Sequence, residues 1–308
     1  MSKISSKVSI VLPTYNGSEY IRQSIDSCLN QTYKNIELVI VDDGSKDNIY
    51  EIVKSYKDNR IKYVRHKKNR GLPFALNTGF ANTTGEYLTW TSDDNLYLPE
   101  AIEKMLNYLN SDKKNDFVYA DYFNYISETG EKLLVKMKDS NILVKENVVG
   151  PCFLYSRTVY KNIGNYNAKY FLVEDYEYWI RVYKKYSLVH CPYPLYVYRS
   201  HSKSLTNNSY WEVILFDSIL KYQNNFITLH ELTKKIISFF INIIIKKRER
   251  IFKIYLQNYL RISRISLRLS ILYLLLLAYF PFYGGIKLLN KVLKKATYKK
   301  QDNKEGRE

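Results

Sequence analysis

Two short apolar runs near the start of the chain constrain its fold more than any other feature. Val8 to Leu12 ends at Pro13, and Ile36 to Val41 ends at the turn-forming residues 42–45, Asp-Asp-Gly-Ser. Short apolar runs with polar residues at their carboxyl ends are typical of buried parallel strands. The segment from Ser18 to Gln31 lies between them and repeats its apolar residues at helical spacing. Together the three segments predict a βαβ unit.

The alternation of strands and helices continues along the chain. Further helices are predicted near residues 49–56 and 72–82 and after Pro99, and further strands at 61–64, 87–90, 117–119, 152–155 and 188–190. Asn16 or Ser18 is predicted to cap the first helix. This alternation predicts an α/β sheet. No Gly-x-Gly-x-x-Gly follows the first strand, so a dinucleotide-binding domain would lack its fingerprint.

The positive charge is concentrated at the C-terminal end. The chain has a formal net charge of +17, and residues 231–308 hold 18 of its 47 Lys and Arg but 5 of its 30 Asp and Glu. The first 230 residues are nearly balanced, which argues against nucleic acid as a partner.

The cysteines and the N-terminal residues indicate the cellular compartment of the catalytic part. Cys28, Cys152 and Cys191 are far apart and odd in number, so they predict neither a disulfide framework nor a zinc site. Residues 1–7 lack the apolar stretch of a secretory signal. Both observations predict a catalytic part in the reducing cytosol.

The composition changes after about residue 208. An apolar segment at 236–245 is followed by a basic helix at 246–268 and an uncharged stretch from Leu269 to Ile286. Aliphatic residues interleaved with Lys and Arg are typical of a helix in the headgroup layer of an anionic membrane. The uncharged stretch is at the lower length limit for crossing a bilayer, so it either spans the membrane or lies on it. We predict a catalytic domain at residues 1–209 and a helical, membrane-associating tail at 210–308, at the cytoplasmic face of the cell membrane.

Polar residues cluster at the carboxyl ends of three predicted strands. They are residues 13–16, Asp42-Asp43 and Asp93-Asp94. Each cluster alone is compatible with ordinary turn or capping chemistry. Open α/β sheets, however, bind ligands beyond the carboxyl ends of their strands, so three clusters in succession predict a binding site.

The order and spacing of five motifs resemble glycosyltransferase family 2. The matching segments are residues 8–16, residues 38–45, Asn69-Arg70-Gly71 with residues 75–79, Thr91-Ser92-Asp93-Asp94, and Glu174-Asp175. The resemblance covers roughly the first two thirds of the chain. It implies a GT-A fold, with a Rossmann-like nucleotide-binding sheet, and inverting transfer of a sugar from a nucleotide-diphosphate donor.

The resemblance implies roles for the residues on the donor side. The residues that would contact the nucleotide-sugar are Pro13, Thr14, Tyr15, Asp43, Arg70 and Asp93. Asp43 would accept a hydrogen bond from the base and Asp93 would contact the ribose, whereas Asp42 is open to a structural role. Arg70 and Arg199 are candidates for contacts with phosphate oxygens, with a solvated surface charge as the alternative.

A metal site is also implied. Asp94 matches the acid of the family's DxD-type motif, which holds Mn²⁺ or Mg²⁺ against the donor diphosphate. Hard divalent cations prefer carboxylate and phosphate oxygens. His201 resembles a histidine that meets the metal or the diphosphate, and a solvated loop histidine is the alternative. Thr91 stands where many relatives have another acid, so this site is poorer in carboxylates.

Asp175 matches the family's catalytic base, and Glu174 beside it would cap the helix or orient the acceptor. A carboxylate of ordinary pKa is ionised at neutral pH and can take the proton of an attacking hydroxyl. Attack from the face opposite the leaving nucleotide gives inversion. The alternative is that both acids stabilise the first turn of a helix.

The resemblance favours a UDP-sugar as donor and a glycan or lipid-linked acceptor, in cell-surface polysaccharide or glycoconjugate biosynthesis. The chain has no Gln-x-x-Arg-Trp motif after the candidate base, which predicts transfer of one sugar per encounter.

His66, His190 and His230 are interpreted as structural. Two other classes stay open: a nucleotidyltransferase, which also combines a nucleotide site with metal-binding acids, and a basic nucleic-acid-binding protein.

Overall fold

The computed structural model describes the backbone of residues 6–245 and their side chains, except those of Trp211, Ile237 and residues 239–245. The strands of this range are β1 (Val8–Thr14), β2 (Ile36–Asp42), β3 (Ile61–Arg65), β4 (Tyr87–Trp90), β5 (Leu96–Tyr97), β6 (Asn115–Ile126), β7 (Glu131–Val135), β8 (Phe153–Ser156) and β9 (Ser187–Ser200). The helices are α1 (Ile21–Leu29), α2 (Ile49–Lys54), α3 (Leu72–Ala81), α4 (Ala101–Ser111), α5 (Arg157–Ile163), α6 (Glu174–Tyr183), α7 (Leu205–Asn208), α8 (Tyr210–Gln223) and α9 (Leu229–Ile245).

A single mixed sheet carries the described strands in the order β3-β2-β1-β4-β8-β6-β9-β5, with β7 paired to β6. The first four strands of this order are parallel. Strand β8 is antiparallel to β4 and to β6, while β9 is parallel to β6. The predicted α/β fold is confirmed, and the antiparallel half is a feature that periodicity did not predict.

Side chains alternate between the two faces of the sheet. Along β1, Val8, Ile10 and Leu12 belong to a core that also includes residues of α1, α2 and α4. Val11 points to the other face, where α3 packs very closely: a Cβ added to Gly79 would lie 2.2 Å from Val11 Cγ1. Only a glycine allows this approach, so α3 is seated directly on β1.

Aromatic side chains fill the second face beside β6 and β8. Phe117, Phe153 and Tyr155 stack on one another, and the ring of Trp179 on α6 meets Phe153 edge-on at a centroid distance of 4.5 Å. Each such pair contributes roughly 0.5–1.5 kcal/mol beyond its buried area. This cluster anchors α6, whose first residues are Glu174 and Asp175, to the sheet.

The predicted caps of the first helix are wrong. Helix α1 begins at Ile21, after the turn that contains Asn16 and Ser18. Asn16 has a φ of 54° and its side-chain oxygen accepts from the amide of Lys46, while the amide of Ser18 donates to Asp47. Both residues connect the end of β1 to the turn after β2. The cap position of α1 is held by Tyr20, so neither Asn16 nor Ser18 caps the helix.

The region after residue 209 continues as helices α8 and α9, and the compact unit that contains the sheet extends through Ile245. None of the helices between residues 6 and 245 has the length and apolar character needed to cross a membrane. The predicted basic helix at 246–268 and the uncharged stretch at 269–286 lie outside the described residues. The domain boundary after residue 209 therefore stays a prediction.

Candidate functional site

The carboxyl ends of β1, β2 and β4 bring the three polar clusters together. Thr14 lies beside Asp42 in the parallel register of β1 and β2, and its carbonyl accepts from the amide of Asp43 at 2.9 Å. On its other side, the Thr14 hydroxyl donates to Asp93 Oδ2 at 2.5 Å. Thr14 therefore contacts both carboxylate clusters at this edge of the sheet.

Pro13 and Tyr15 flank Thr14 and have different environments. Pro13 is buried within β1, opposite Val41 of β2. The side chain of Tyr15 is 45% exposed. Of the two, only Tyr15 presents a side chain to a ligand arriving from solvent.

Asp42 is enclosed by the protein. Its side chain accepts from the amide of Ser45 at 2.7 Å and from the hydroxyl of Tyr63 at 2.6 Å, and it lies 3.3 Å from Arg65 Nε. The residue is 1% exposed. These contacts hold the turn after β2 in place, which is the structural role that the sequence left open.

Asp43 is also buried and engaged on both oxygens. The amide of Arg70 lies 3.0 Å from each oxygen, and the amide of Gly71 donates to Oδ2 at 2.7 Å. His66 Nδ1 lies 2.6 Å from Oδ1, and its Nε2 lies 2.9 Å from Thr78 Oγ1. A hydrogen bond from a nucleotide base to Asp43 would therefore be an additional contact.

Asp93 is packed against the backbone of the turn after β1. A Cβ added to Gly17 would lie 1.9 Å from Asp93 Oδ2, so this position accepts only glycine without movement of the carboxylate. Burial, reinforced by the charge of Asp94, raises the pKa of Asp93 to about 7, although the hydrogen bond from Thr14 opposes the shift. The sequence reasoning missed Gly17, and the glycine three residues after Thr14 was the available signal.

Asp94 has one engaged oxygen and one free oxygen. Its Oδ2 lies 3.1 Å from His201 Nε2, whereas Oδ1 is buried and has no hydrogen-bond partner among the described residues. Burial raises the pKa of Asp94, and the neighbouring His201 opposes that shift. A buried carboxylate oxygen that accepts no hydrogen bond is available to accept one from a ligand or to coordinate a cation.

The residues present fit a divalent cation. Within residues 6–245, no group of three or more His, Cys, Asp or Glu side chains is arranged to hold a metal ion. Asp94 and His201 supply two donors, and Mg²⁺ in phosphate-binding sites commonly takes one or two carboxylates and completes its shell with water and substrate phosphates. Imidazole nitrogen is a suitable ligand for several divalent metals.

His201 is buried rather than solvated. It is 8% exposed, its ring packs on Tyr20 at a centroid distance of 5.1 Å, and its amide donates to Ser204 Oγ at 3.1 Å. Tyr20 precedes α1, and Ser204 belongs to the segment after β9, so the contacts come from two separate parts of the chain. The loop position suggested by the sequence is therefore held firmly against Asp94.

The two candidate phosphate-binding arginines have different surroundings. Arg70 is exposed, with its guanidinium 4.7 Å from the ring centre of Phe74. Arg199 Nε donates to the carbonyl of Asp94 at 2.9 Å, and its Nη2 donates to Gln23 at 2.6 Å. Arg70 is thus available to a ligand, whereas Arg199 supports the backbone of Asp94.

Thr91 directly follows β4 and lies two residues before Asp93. Its hydroxyl lies 2.6 Å from the hydroxyl of Tyr196 on β9, and both residues are buried. The neutral pair avoids placing a further carboxylate next to Asp93 and Asp94, where burial already disfavours negative charge.

The candidate base, Asp175, is the second residue of α6 and lies three residues after Leu172, whose φ is 80°. Asp175 accepts from the amide of Tyr176 at 2.7 Å and from Asn147 Nδ2 at 3.3 Å. Burial raises the pKa of Asp175, and these two donors lower it. Asn147 lies in an irregular segment without a motif, so the sequence offered no signal for it.

Glu174 is more deeply buried than its neighbour. It is 4% exposed, and its Oε2 has no hydrogen-bond partner in the part of the chain that the structure describes. Burial, with the charge of Asp175 as a second cause, raises the pKa of Glu174 to about 8. Glu174 is therefore mostly protonated at neutral pH, unlike the ionised carboxylate that its type alone suggests.

The donor-side acid and the candidate base act on the same side chain. Tyr198 of β9 is partly buried. Burial raises its pKa, the hydrogen bond with Thr206 lowers it, and the charges of Asp94 and Asp175 raise it further. Its hydroxyl lies 3.4 Å from Thr206 Oγ1. Asp94 and Asp175, which are 81 residues apart in sequence, thus both lie near Tyr198.

The chain matches the family model described as glycosyl transferase family 2 over residues 9–176. It is 40% identical over 189 residues to an uncharacterized glycosyltransferase of Rickettsia felis, covering 57% of this chain and 31% of that protein. It is 36% identical over 217 residues to an uncharacterized glycosyltransferase of Rickettsia typhi, covering 67% of each chain. The chain thus spans about a third of the first relative and about two thirds of the second.

Solved structures show the same fold. Residues 1–349 of S. aureus TarS superpose with a TM-score of 0.57 at 17% identity, over 88% of this chain and 79% of that one. TarS has also been solved with UDP and with UDP-GlcNAc. The likeness identifies the mixed sheet as a GT-A fold, and with the sequence match it shows that the chain belongs to glycosyltransferase family 2.

Proposed function

We propose that the chain transfers one sugar per encounter, with inversion, from a nucleotide-diphosphate donor to a hydroxyl of a glycan or lipid-linked acceptor. The observation that carries the proposal is the buried Oδ1 of Asp94, which has no hydrogen-bond partner among the described residues and lies at the strand end where Thr14 bonds Asp93. Such an oxygen can bind the cation that a donor diphosphate requires, and Asp175 at the start of α6 is the carboxylate that would act as the base in a single displacement at the anomeric carbon.

A UDP-sugar is the donor that we favour. The support is the TarS fold, which binds UDP and UDP-GlcNAc. On this chain, the exposed ring of Tyr15 would stack on the base, and Asp93, bonded to Thr14, would contact the ribose. The exposed guanidinium of Arg70 would contact phosphate oxygens, because it is free of ion pairs with the described carboxylates.

Asp94 and His201 would hold Mn²⁺ or Mg²⁺, whose chemistry is to neutralise the charge that grows on a departing diphosphate. Arg199 holds the carbonyl of Asp94 and so keeps the acid in position. His201 is fixed in turn by its packing on Tyr20. These contacts limit the movement of both side chains when the donor enters and leaves.

Asp175 would take the proton from the acceptor hydroxyl. The donors from Asn147 and Tyr176 orient its carboxylate, and its raised pKa makes it a stronger base than a solvated aspartate. Glu174, protonated at neutral pH, adds no second negative charge beside it. The proton moves from the hydroxyl to Asp175 as the new glycosidic bond forms and the bond to the leaving diphosphate breaks.

The test is a panel of nucleotide-sugars incubated with the purified full-length chain and Mn²⁺ or Mg²⁺. We expect release of a nucleoside diphosphate from one donor, and transfer to an added acceptor that Asp175→Asn reduces about 1,000-fold. Asp112→Asn, at an exposed carboxylate after α4, is the matched control and should be fully active. Release of pyrophosphate would identify a nucleotidyltransferase instead.

We further propose that the C-terminal tail docks the enzyme on the cytoplasmic face of an anionic membrane, where a lipid-linked acceptor is presented. The support is the composition of residues 246–286, in which Lys and Arg precede a long uncharged stretch. Each basic residue near an anionic surface contributes about 1 kcal/mol.

Sedimentation with vesicles tests this tail hypothesis. Combined substitution of Arg261, Arg264 and Arg268 by Gln should weaken binding of the full chain to phosphatidylserine-containing vesicles about 100-fold. Combined substitution of the exposed Lys57, Lys113 and Lys136 by Gln removes the same charge from the catalytic unit and should have little effect. Equal losses in the two variants would mean that net charge, and not the tail, governs binding.

A further inference from the structure

The loop from His66 to Gly71, here called the 66–71 loop, joins β3 to α3 and lies against the end of β2. The amide of His66 donates to the carbonyl of Asp42 at 2.8 Å. Gly44, with a φ of 80°, packs on the loop backbone so closely that an added Cβ would lie 2.6 Å from the carbonyl carbon of Lys68. The path of the loop is therefore determined by backbone contacts with β2 and its turn.

The carboxylate of Asp43 organises the far end of this loop. It accepts from the amides of Arg70 and Gly71 at 2.7–3.0 Å, and these amides begin the turn into α3. An ionised carboxylate offers about four acceptor positions, and the loop amides with His66 engage both oxygens. Asp43 therefore shapes the loop, whatever further contact it makes with a ligand.

The ring of His66 holds the Asp43 carboxylate against α3. Its ring is 9% exposed and uses both nitrogens, Nδ1 towards Asp43 and Nε2 towards Thr78 on α3. Because an ionised carboxylate only accepts, Nδ1 is the nitrogen that carries the proton in this contact. The second contact fixes the orientation of the ring.

We propose that His66 is a positioning residue for nucleotide binding: it orients Asp43, and through Asp43 the turn of Asn69, Arg70 and Gly71 that receives the donor nucleotide. The inference rests on the proposed function. Asp43 is joined by its amide to Thr14, which bonds Asp93, so the loop borders the candidate nucleotide site. A histidine that sequence reasoning treats as structural thus contributes to the affinity for the nucleotide.

Two amide substitutions separate the two ring contacts. In His66→Asn the side-chain nitrogen can reach the place of Nδ1 and still donate to Asp43, whereas in His66→Gln it reaches the place of Nε2 and faces Thr78. We expect His66→Gln to weaken nucleotide binding by the full-length chain about tenfold, and His66→Asn to stay close to the wild type. The maximal rate at saturating donor should change less than twofold in both, since the reacting groups are untouched.

The measurement is calorimetric titration with UDP, GDP and dTDP, together with the melting temperature of each variant. Thr78→Val, which removes the hydroxyl that orients the ring, should raise the dissociation constant about threefold and decides the matter if both His66 variants fail to fold. Equal affinities in the two folded His66 variants would overturn the proposal, as would an unchanged affinity in Thr78→Val. If the wild type binds none of the three diphosphates, the proposed function fails first and the role of His66 with it.

Discussion

Two pairs of adjacent aspartates end neighbouring strands of one sheet, yet their surroundings differ. The β2 pair, Asp42 and Asp43, is covered by turns whose amides and side chains donate to its oxygens. The β4 pair, Asp93 and Asp94, has fewer donors, and burial raises the pKa of both carboxyls. The same Asp-Asp dipeptide therefore stabilises a turn after β2, whereas after β4 it offers a carboxylate that is available to a ligand.

The difference arises from the segments that follow each strand. After β2 the chain turns back at Gly44 and meets the 66–71 loop, so backbone amides surround the carboxylates. After β4 the chain leaves towards β5, and the side chain that approaches Asp94 is His201. Burial without enough donors makes a carboxylate attract protons or cations.

The largest expected effect concerns the β4 pair. Asp94→Asn should lower donor turnover about 1,000-fold, because the substitution removes the carboxylate that would hold the divalent cation against the donor diphosphate. The melting temperature should not fall, since the substitution removes a charge that burial disfavours. Steady-state kinetics with thermal denaturation checks both. If Asp94→Asn lost as much stability as a variant of the β2 pair, the proposed difference between the two pairs would be wrong.

The β2 pair should respond in the opposite way. Asp42→Ala leaves the amide of Ser45 and the hydroxyl of Tyr63 without their acceptor, and should reduce the free energy of unfolding by about 3 kcal/mol. Urea denaturation measures this loss. Asp112→Asn is the control, with an expected change near zero because its side chain is exposed. An equally small loss in Asp42→Ala would mean that the turn does not depend on the carboxylate.

The position of the β4 pair can be disturbed without touching an acid. Gly17→Ala places a methyl group 1.9 Å from Asp93 Oδ2, so the carboxylate must move and turnover should fall about 100-fold. Gly130→Ala is the control for backbone strain: unlike Gly17, Gly130 has a φ of 74° that disfavours a side chain, but an added Cβ there meets no described atom within 4 Å. Kinetic assays of both should separate displacement from backbone strain, and full activity in Gly17→Ala would show that Asp93 tolerates movement.

The smallest effect extends the comparison to Glu174, another buried carboxyl with few donors. Its pKa is raised from 4.5 to about 8, so the folded state holds its proton more tightly than the unfolded chain. This contribution to stability is complete below pH 4.5 and is lost as the pH rises towards 8. Between pH 5 and pH 7 the wild type should lose about 2 kcal/mol relative to Glu174→Gln, as measured by urea denaturation at each pH. Parallel stability curves for the two proteins would contradict the raised pKa.

Much of the fold was predictable from local pattern. Strand β4 has the predicted bounds, and α6 begins at Glu174 where the acidic first turn indicated. The antiparallel half of the sheet was not predictable, because pairing between β8 and β6 depends on contacts between distant segments. The first helix shows the same limit: Asn16 is a good capping residue by type, but a contact with Lys46, 30 residues away, takes its side chain.

The sequence by itself determined the family, the strand ends that carry the acids, and the position of Glu174-Asp175 in the chain, because short motifs and periodicity are local properties. Only the tertiary structure decided what each carboxyl does there. Asp42 accepts hydrogen bonds from groups that are distant in sequence, whereas Asp94 keeps an oxygen without a hydrogen-bond partner among the described residues. The difference depends on which distant groups fold over each carboxyl. Burial and hydrogen bonding set the charge of a carboxyl, and both arise from contacts that no local pattern records.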